Sequence, residues 1–166
     1  MKTLYLLRHA KSSWKDETLS DIERPLNGRG RKAAQTIGDF LKREKIIPDL
    51  VLSSSAVRAR QTTDLLLKAA NISTDLRFDE RIYEAGSERL LQVIEQVEKS
   101  KKSVLLVGHN PGLEEFLYVL TGATDTMPTG TLSKIALGTS SWAAIGDKDK
   151  GGTLEWIVKP KQLKKD

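Results

Sequence analysis

A chain of 166 residues without a cysteine excludes disulfide scaffolds, thiolate catalysis and cysteine-held metal. No apolar run approaches the ~18 residues of a membrane span, and the chain begins directly as a strand without a signal-peptide pattern. A cytoplasmic protein is therefore expected, with one domain over residues 1–158 and a basic tail over 159–166. The net charge of +5 can mean nucleic acid, a membrane surface or an anionic substrate, and no membrane partner is expected.

The predicted elements run as follows. Thr3–Leu7 is a strand, and Arg8–Asn27 is a long polar connection of the kind that is usually functional or mobile. A helix follows over Gly28–Arg43, with Ala33, Ala34, Ile37, Phe40 and Leu41 as its apolar stripe. Leu50–Leu52 is a second strand, cut by three serines that are expected to cap a helix over Ala56–Ala70, with Asn71 as its breaker. Asp75–Phe78 is a short strand, Arg81–Gly86 a loop, and Ser87–Glu98 a third helix. Val104–Val107 is a strand, followed by a short helix over Gly112–Leu120 opened by Pro111. Leu132–Leu137, Trp142–Ile145 and Thr153–Val158 read as late strands, the last two separated by the turn-rich Gly146–Gly152. This order predicts a three-layer α/β/α sandwich with a mostly parallel central sheet and antiparallel additions near the C-terminus.

Two of these strands end in a histidine. Thr3–Leu7 runs into Arg8 and His9, and Val104–Val107 into Gly108 and His109; the chain has no other histidine. Short apolar runs bounded by breakers read as buried strands, and open α/β sheets bind ligands at their carboxyl edge. Arg8 and His9 would point to opposite faces within a strand, but both can converge where the chain turns. A fixed positive charge beside an imidazole depresses its protonation, and a nucleophile or a metal ligand needs the neutral ring. The plainer alternative is that Arg8 pairs with a carboxylate and His9 is a satisfied edge residue.

Arg58 falls in the first turn of its helix, where free N–H groups and a planar guanidinium both suit phosphate oxygens. Arg60, about 200° around the helix, fits a solvated face better. Arg24, Arg29, Arg31 and Lys32 form a second basic group, whereas Lys159, Lys161, Lys164 and Lys165 read as a solvated end. Few aromatics interleave these charges, as a single-strand nucleic-acid platform would need, and no nucleic acid is expected to bind. Glu84, before Gly86, is by composition an ordinary surface acid. There is no His-x-x-x-His pair and no local carboxylate cluster, so neither metal nor other cofactor is expected.

Taken together, these segments resemble the histidine phosphatase superfamily, and in particular its small phosphohistidine phosphatase branch, the SixA type. Leu7-Arg8-His9 with Ser12 and Trp14 is similar to the Arg-His-Gly signature, and Leu26 to Ala34, with Gly30 at the glycine, to the helix start that follows it. Ser53 through Arg58, Gln61 and Thr62 resembles the second arginine motif, and Gly108 through Glu114 the second histidine motif. The resemblance implies that His9 attacks phosphorus while Arg8, Arg58 and His109 hold the phosphoryl oxygens. It puts Glu84 near the family's frequent proton donor, and Lys15 and Asn27 at or near phosphate. Lys15 stands where relatives keep an asparagine, Ala10 where they keep a glycine, and Lys11 where the mutases keep a glutamate, which favours a phosphatase.

The expected function is a metal-independent, monomeric phosphatase that passes through a phosphohistidine on His9. Its substrate is expected to be phosphohistidine in a protein, because so short a chain has little material for a lid. A small-molecule phosphomonoesterase of the same superfamily is the alternative. A non-catalytic phosphate or nucleic-acid binding module represents a different class.

Overall fold

The computed structural model describes residues 1–147 and 151–163. The centre of the Gly146–Gly152 turn, Lys164 and Lys165 lie outside the described residues. In chain order the elements are β1 (Lys2–Arg8), α1 (Gly28–Arg43), β2 (Leu50–Ser54), α2 (Val57–Ala70), β3 (Asp75–Asp79), α3 (Ser87–Glu95), β4 (Ser103–Gly108), α4 (Gly112–Thr121), β5 (Leu132–Leu137) and β6 (Gly152–Val158). Among the described residues the strands form one six-stranded sheet in the order β3-β2-β4-β1-β5-β6. β1 to β4 are mutually parallel, β5 pairs antiparallel with β1, and β6 pairs antiparallel with β5.

The apolar strand sequences follow from burial on both faces. Leu4, Leu6, Leu50, Leu52, Val104 and Leu106 point into one core with α3 and α4. Their neighbours Tyr5, Leu7, Val51, Leu105 and Val107 point into the other, against Ile37 and Leu41 of α1 and Ala59 and Leu66 of α2. Strand period 2 therefore feeds two cores from the same residues. The result is the expected three-layer sandwich. No helix among the described residues is long and apolar enough to cross a membrane.

Two local expectations need correction. The serines do not cap α2: Ala56 occupies that position without a side-chain cap, and Ser54 Oγ accepts from the Ala56 N–H at 3.2 Å. Trp142–Ile145 is not a strand. Trp142–Ala144 is a 3-10 turn that sinks the Trp142 ring fully into the core, with its indole N–H donating to the Lys101 carbonyl at 2.6 Å. The Arg8–Asn27 connection, expected to be functional or mobile, is tied down. It pairs Ser12 with Leu26, turns through a 3-10 segment at Asp21–Glu23, and donates the Ser13 N–H to the Pro25 carbonyl.

Gly30 lets α1 pack directly on that connection. The helix is capped by Asn27, whose side chain accepts from the Gly30 N–H at 2.8 Å, while the Asn27 N–H donates to the Lys11 carbonyl. A Cβ on Gly30 would collide with that same carbonyl. Gly30→Ala is therefore expected to cost roughly 1–3 kcal/mol, read as a lowered urea midpoint with an unchanged slope. An unaltered midpoint would mean that the connection yields freely.

Candidate active site

The pairing of β1 with β4 builds the site. Arg8 lies opposite Gly108 in the parallel register, and the His9 N–H donates to the Gly108 carbonyl at 3.0 Å. The chain leaving β1 goes to α1 on one face, and the chain leaving β4 goes to α4 on the other. This divergence opens a crevice at the carboxyl ends of adjacent strands, where α/β sheets bind ligands. His9 and His109 sit on its two sides, with ring centroids 5.1 Å apart.

His9 is 6% exposed. Its Nδ1 lies 2.7 Å from the Ala10 carbonyl oxygen, which can only accept, so the ring hydrogen sits on Nδ1 and the Nε2 lone pair is left for the cleft. Arg58 Nε approaches that Nε2 at 3.4 Å. Burial is the main reason that the His9 pKa falls to about 4, and the charges of Arg58, Arg8 and Arg24 depress it further against the Ala10 hydrogen bond. Ala10 itself has no positive φ; it is fully buried beside Leu26 and Ala34, and its N–H donates to Thr62 Oγ1 at 3.0 Å.

His109 Nε2 lies 2.7 Å from Ser54 Oγ, and Tyr83 packs edge-on against the ring. Burial first, then His9 and Arg58, lower its pKa to about 3. Arg58, 6% exposed, is held from behind. Asp21 accepts from it through its backbone carbonyl at 2.7 Å and through Oδ2 at 3.0 Å. The same Oδ2 accepts from the Tyr83 hydroxyl at 2.6 Å, and Oδ1 accepts from Arg24 Nε at 3.3 Å. With the Tyr83 hydrogen bond foremost, Asp21 stays ionised down to a pKa of about 2. Arg8 donates to the Met127 carbonyl at 3.2 Å, and burial lowers its pKa. Arg8 Nε and His109 Nδ1 are buried with no partner among the described residues.

The cleft between these groups has a volume of about 340 Å³. Four cations line it: Arg8, Lys11, Arg24 and Arg58. Both imidazoles and the neutral Ser12, Trp14, Asn110 and Thr129 complete the wall, and among the described residues no carboxylate does. The sequence-predicted Arg8, His9, Arg58 and His109 are thus brought together. Three other candidates are not. Asn27 is occupied as the cap of α1. Lys15 is exposed beyond the cleft, its N–H donating to Ser13 Oγ. Glu84 is exposed in a loop at φ 56° and does not line the wall.

Sequence reasoning missed Asp21, Tyr83 and Ser54, which orient the site through partners up to 62 positions away. It also missed Lys11 and Arg24 as cleft residues. The basic group around Arg24 was the available signal, but its burial over the Trp14 ring, 3.5 Å from the centroid, was not readable.

Residues 4–86 match the family model described as the histidine phosphatase superfamily, branch 1. An uncharacterised chloroplastic protein of Arabidopsis thaliana is 31% identical over 96% of this chain and 78% of its own length. Two solved structures carry the provisional name phosphohistidine phosphatase SixA. The one from Agrobacterium tumefaciens has a TM-score of 0.81 and 32% identity, covering 96% of this chain and 98% of its own. The one from Nakamurella multipartitia has a TM-score of 0.83 and 28% identity, covering 96% of both chains.

Because both histidines hold depressed pKa values, the unfolded chain takes up protons near pH 6.5 that the folded chain refuses. Stability is therefore full above about pH 7 and falls as the pH drops from about 6.5 through 4, by about 2 kcal/mol per histidine at pH 5. Two-histidine NMR titration, assigned with His9→Asn, should show both rings neutral at pH 5.5. Arg58→Met should move the His9 midpoint upward. Two ordinary titrations near pH 6.5 would contradict the buried, cationic setting.

Proposed function

This chain belongs to the histidine phosphatase superfamily, and we propose that it hydrolyses phosphohistidine carried on a protein by passing the phosphoryl group through His9. It is a phosphatase hydrolase with neighbours of SixA fold; the nucleophile, the substrate and the absence of a metal requirement are our reading.

In the first step, the His9 Nε2 lone pair attacks phosphorus as the bond to the leaving nitrogen breaks. Nδ1 keeps its hydrogen on the Ala10 carbonyl, so the phosphorylated ring is an imidazolium. Arg8 and Arg58 meet the phosphoryl oxygens. The Ser54 hydroxyl, already accepting from Ala56, donates to His109 Nε2. That puts the His109 hydrogen on Nδ1, the nitrogen without a protein partner among the described residues. In the second step, water attacks phosphorus, its proton passes to solvent, and the electron pair of the P–N bond returns to Nε2 as neutral His9.

The carboxylate-free wall carries the choice of substrate. A phosphate ester releases an alkoxide, which needs a proton donor. Here His109 is too acidic to hold a proton at neutral pH, and Tyr83, raised to about 12 mainly by burial, is committed to Asp21. A phosphohistidine with its ring protonated departs instead as a neutral imidazole and needs no further donor. The four lining cations supply the charge that a metal would, and among the described residues no three His, Cys, Asp or Glu side chains gather to hold one. All groups invoked lie in one chain, which fits a monomer, and the lack of cysteine suits the cytoplasm.

With EDTA present, His9→Ala should lower turnover of a histidine-phosphorylated carrier protein by about 10³-fold or more, near 4 kcal/mol. Acid-labile phosphate trapped in the wild type should map to His9. Equal activity of the two proteins would end the proposal. Glu84→Gln should change the rate less than about twofold, since the residue stands outside the wall. The carrier should also be preferred over sugar phosphates and nucleotides, and the reverse preference would make the chain a phosphomonoesterase.

A further inference from the structure

A second depression adjoins the cleft and shares Lys11 and Thr129 with it. Its volume is about 380 Å³, comparable to the cleft itself. The rim carries five cations, Lys11, Arg29, Lys32, Lys159 and Lys161, while Ala33, Thr36, Pro128 and Pro160 form much of the floor. Among the described residues, no carboxylate forms an ion pair with any of the five. Arg29, Lys32, Ala33 and Thr36 follow the three- and four-residue spacing of one helical stripe, so α1 turns this face outward while Ile37 and Leu41 bury the other.

The opposite wall is built by residues 159–163, which fold back beside α1. Pro160–Gln162 forms a 3-10 turn, closed by the Lys159 N–H on Gln162 Oε1 at 2.8 Å and the Leu163 N–H on the Pro160 carbonyl at 3.0 Å. Leu163 packs against the α1–α2 core, and the Pro160 ring fills the space beside Gly130, whose φ is +77°. Lys159 and Lys161 are thereby held over the same depression as Arg29 and Lys32.

Resting on the reading above, we propose that this groove docks an acidic, partly aliphatic segment of the phosphorylated protein beside its phosphohistidine. Unpaired cations around an apolar floor complement carboxylates interleaved with aliphatic side chains. They exceed what one phosphate demands, and the groove lacks the aromatic platforms on which single-stranded nucleic acid stacks. Continuity through Lys11 and Thr129 lets one chain occupy the groove and the cleft together. The groove raises the effective concentration of the phosphoryl group at His9 and makes the association sensitive to salt.

The test compares wild type with Arg29→Glu/Lys32→Glu/Lys161→Glu, none of which lines the cleft. The substrates are a histidine-phosphorylated carrier protein of net negative charge and the small donor phosphoramidate; calorimetry follows binding of the unphosphorylated carrier. The variant should lose at least tenfold in kcat/KM for the carrier, mostly in KM, together with most of its salt dependence and its calorimetric signal. Phosphoramidate turnover should stay within twofold. Equal carrier kinetics in the two proteins would overturn the docking and leave the phosphohistidine reading standing. Groove-dependent carrier binding without dephosphorylation would support the docking and sink that reading. An equal loss with phosphoramidate, or tighter groove-dependent binding of an oligonucleotide than of the carrier, would also overturn the docking.

Discussion

Parallel hydrogen bonding between β1 and β4 is the constraint on which the site depends. It sets Arg8 beside Gly108, and so delivers two histidines a hundred positions apart to one crevice. The crossing of the chain does the rest. α1 and α4 leave on opposite faces, so a crevice is left above the two strand ends. A one-residue slip in either strand would turn the neighbouring side chain inward in place of the histidine. The apolar alternation feeding both cores works against such a slip, because every second residue is committed to one core or the other.

Charge and burial then act together on the imidazoles. Burial alone favours the neutral ring, and the surrounding guanidinium groups favour it further. The arginines are held in turn by protein acceptors: Arg8 by the Met127 carbonyl, and Arg58 by the carbonyl and carboxylate of Asp21. Asp21 supports Arg58 from the far side and stays out of the cleft wall, so the cleft keeps its positive potential. Tyr83 ties Asp21 to the His109 ring, and one polar cluster thus orients both halves of the site.

Most of the fold could be read from local pattern. The limits of α1 follow from its Asn27 cap and its basic last turn, and Asn71 ends α2 in the left-handed conformation. The misreadings share a cause. Trp142 has strand-like composition, but its ring is drawn under the sheet by a carbonyl 41 residues away. Ser54 has the composition of a cap, but its hydroxyl faces His109. The connection between Arg8 and Asn27 looks simply polar, but Asp21 within it serves Arg58 and Tyr83, 37 and 62 positions away.

By itself the sequence determined the strand ends that carry Arg8, His9 and His109, the helix turn that carries Arg58, and the sandwich in which they lie. Backbone propensity and apolar period are local properties, written over a few consecutive residues. Only the tertiary structure decided which charges share the crevice. It admitted Lys11 and Arg24 and left Lys15 and Glu84 outside. It also set Lys159 and Lys161 over the depression beside α1. The physical reason is that burial and electrostatic pairing depend on distance in space, and loop side chains acquire their neighbours only when the strands that anchor them are in register.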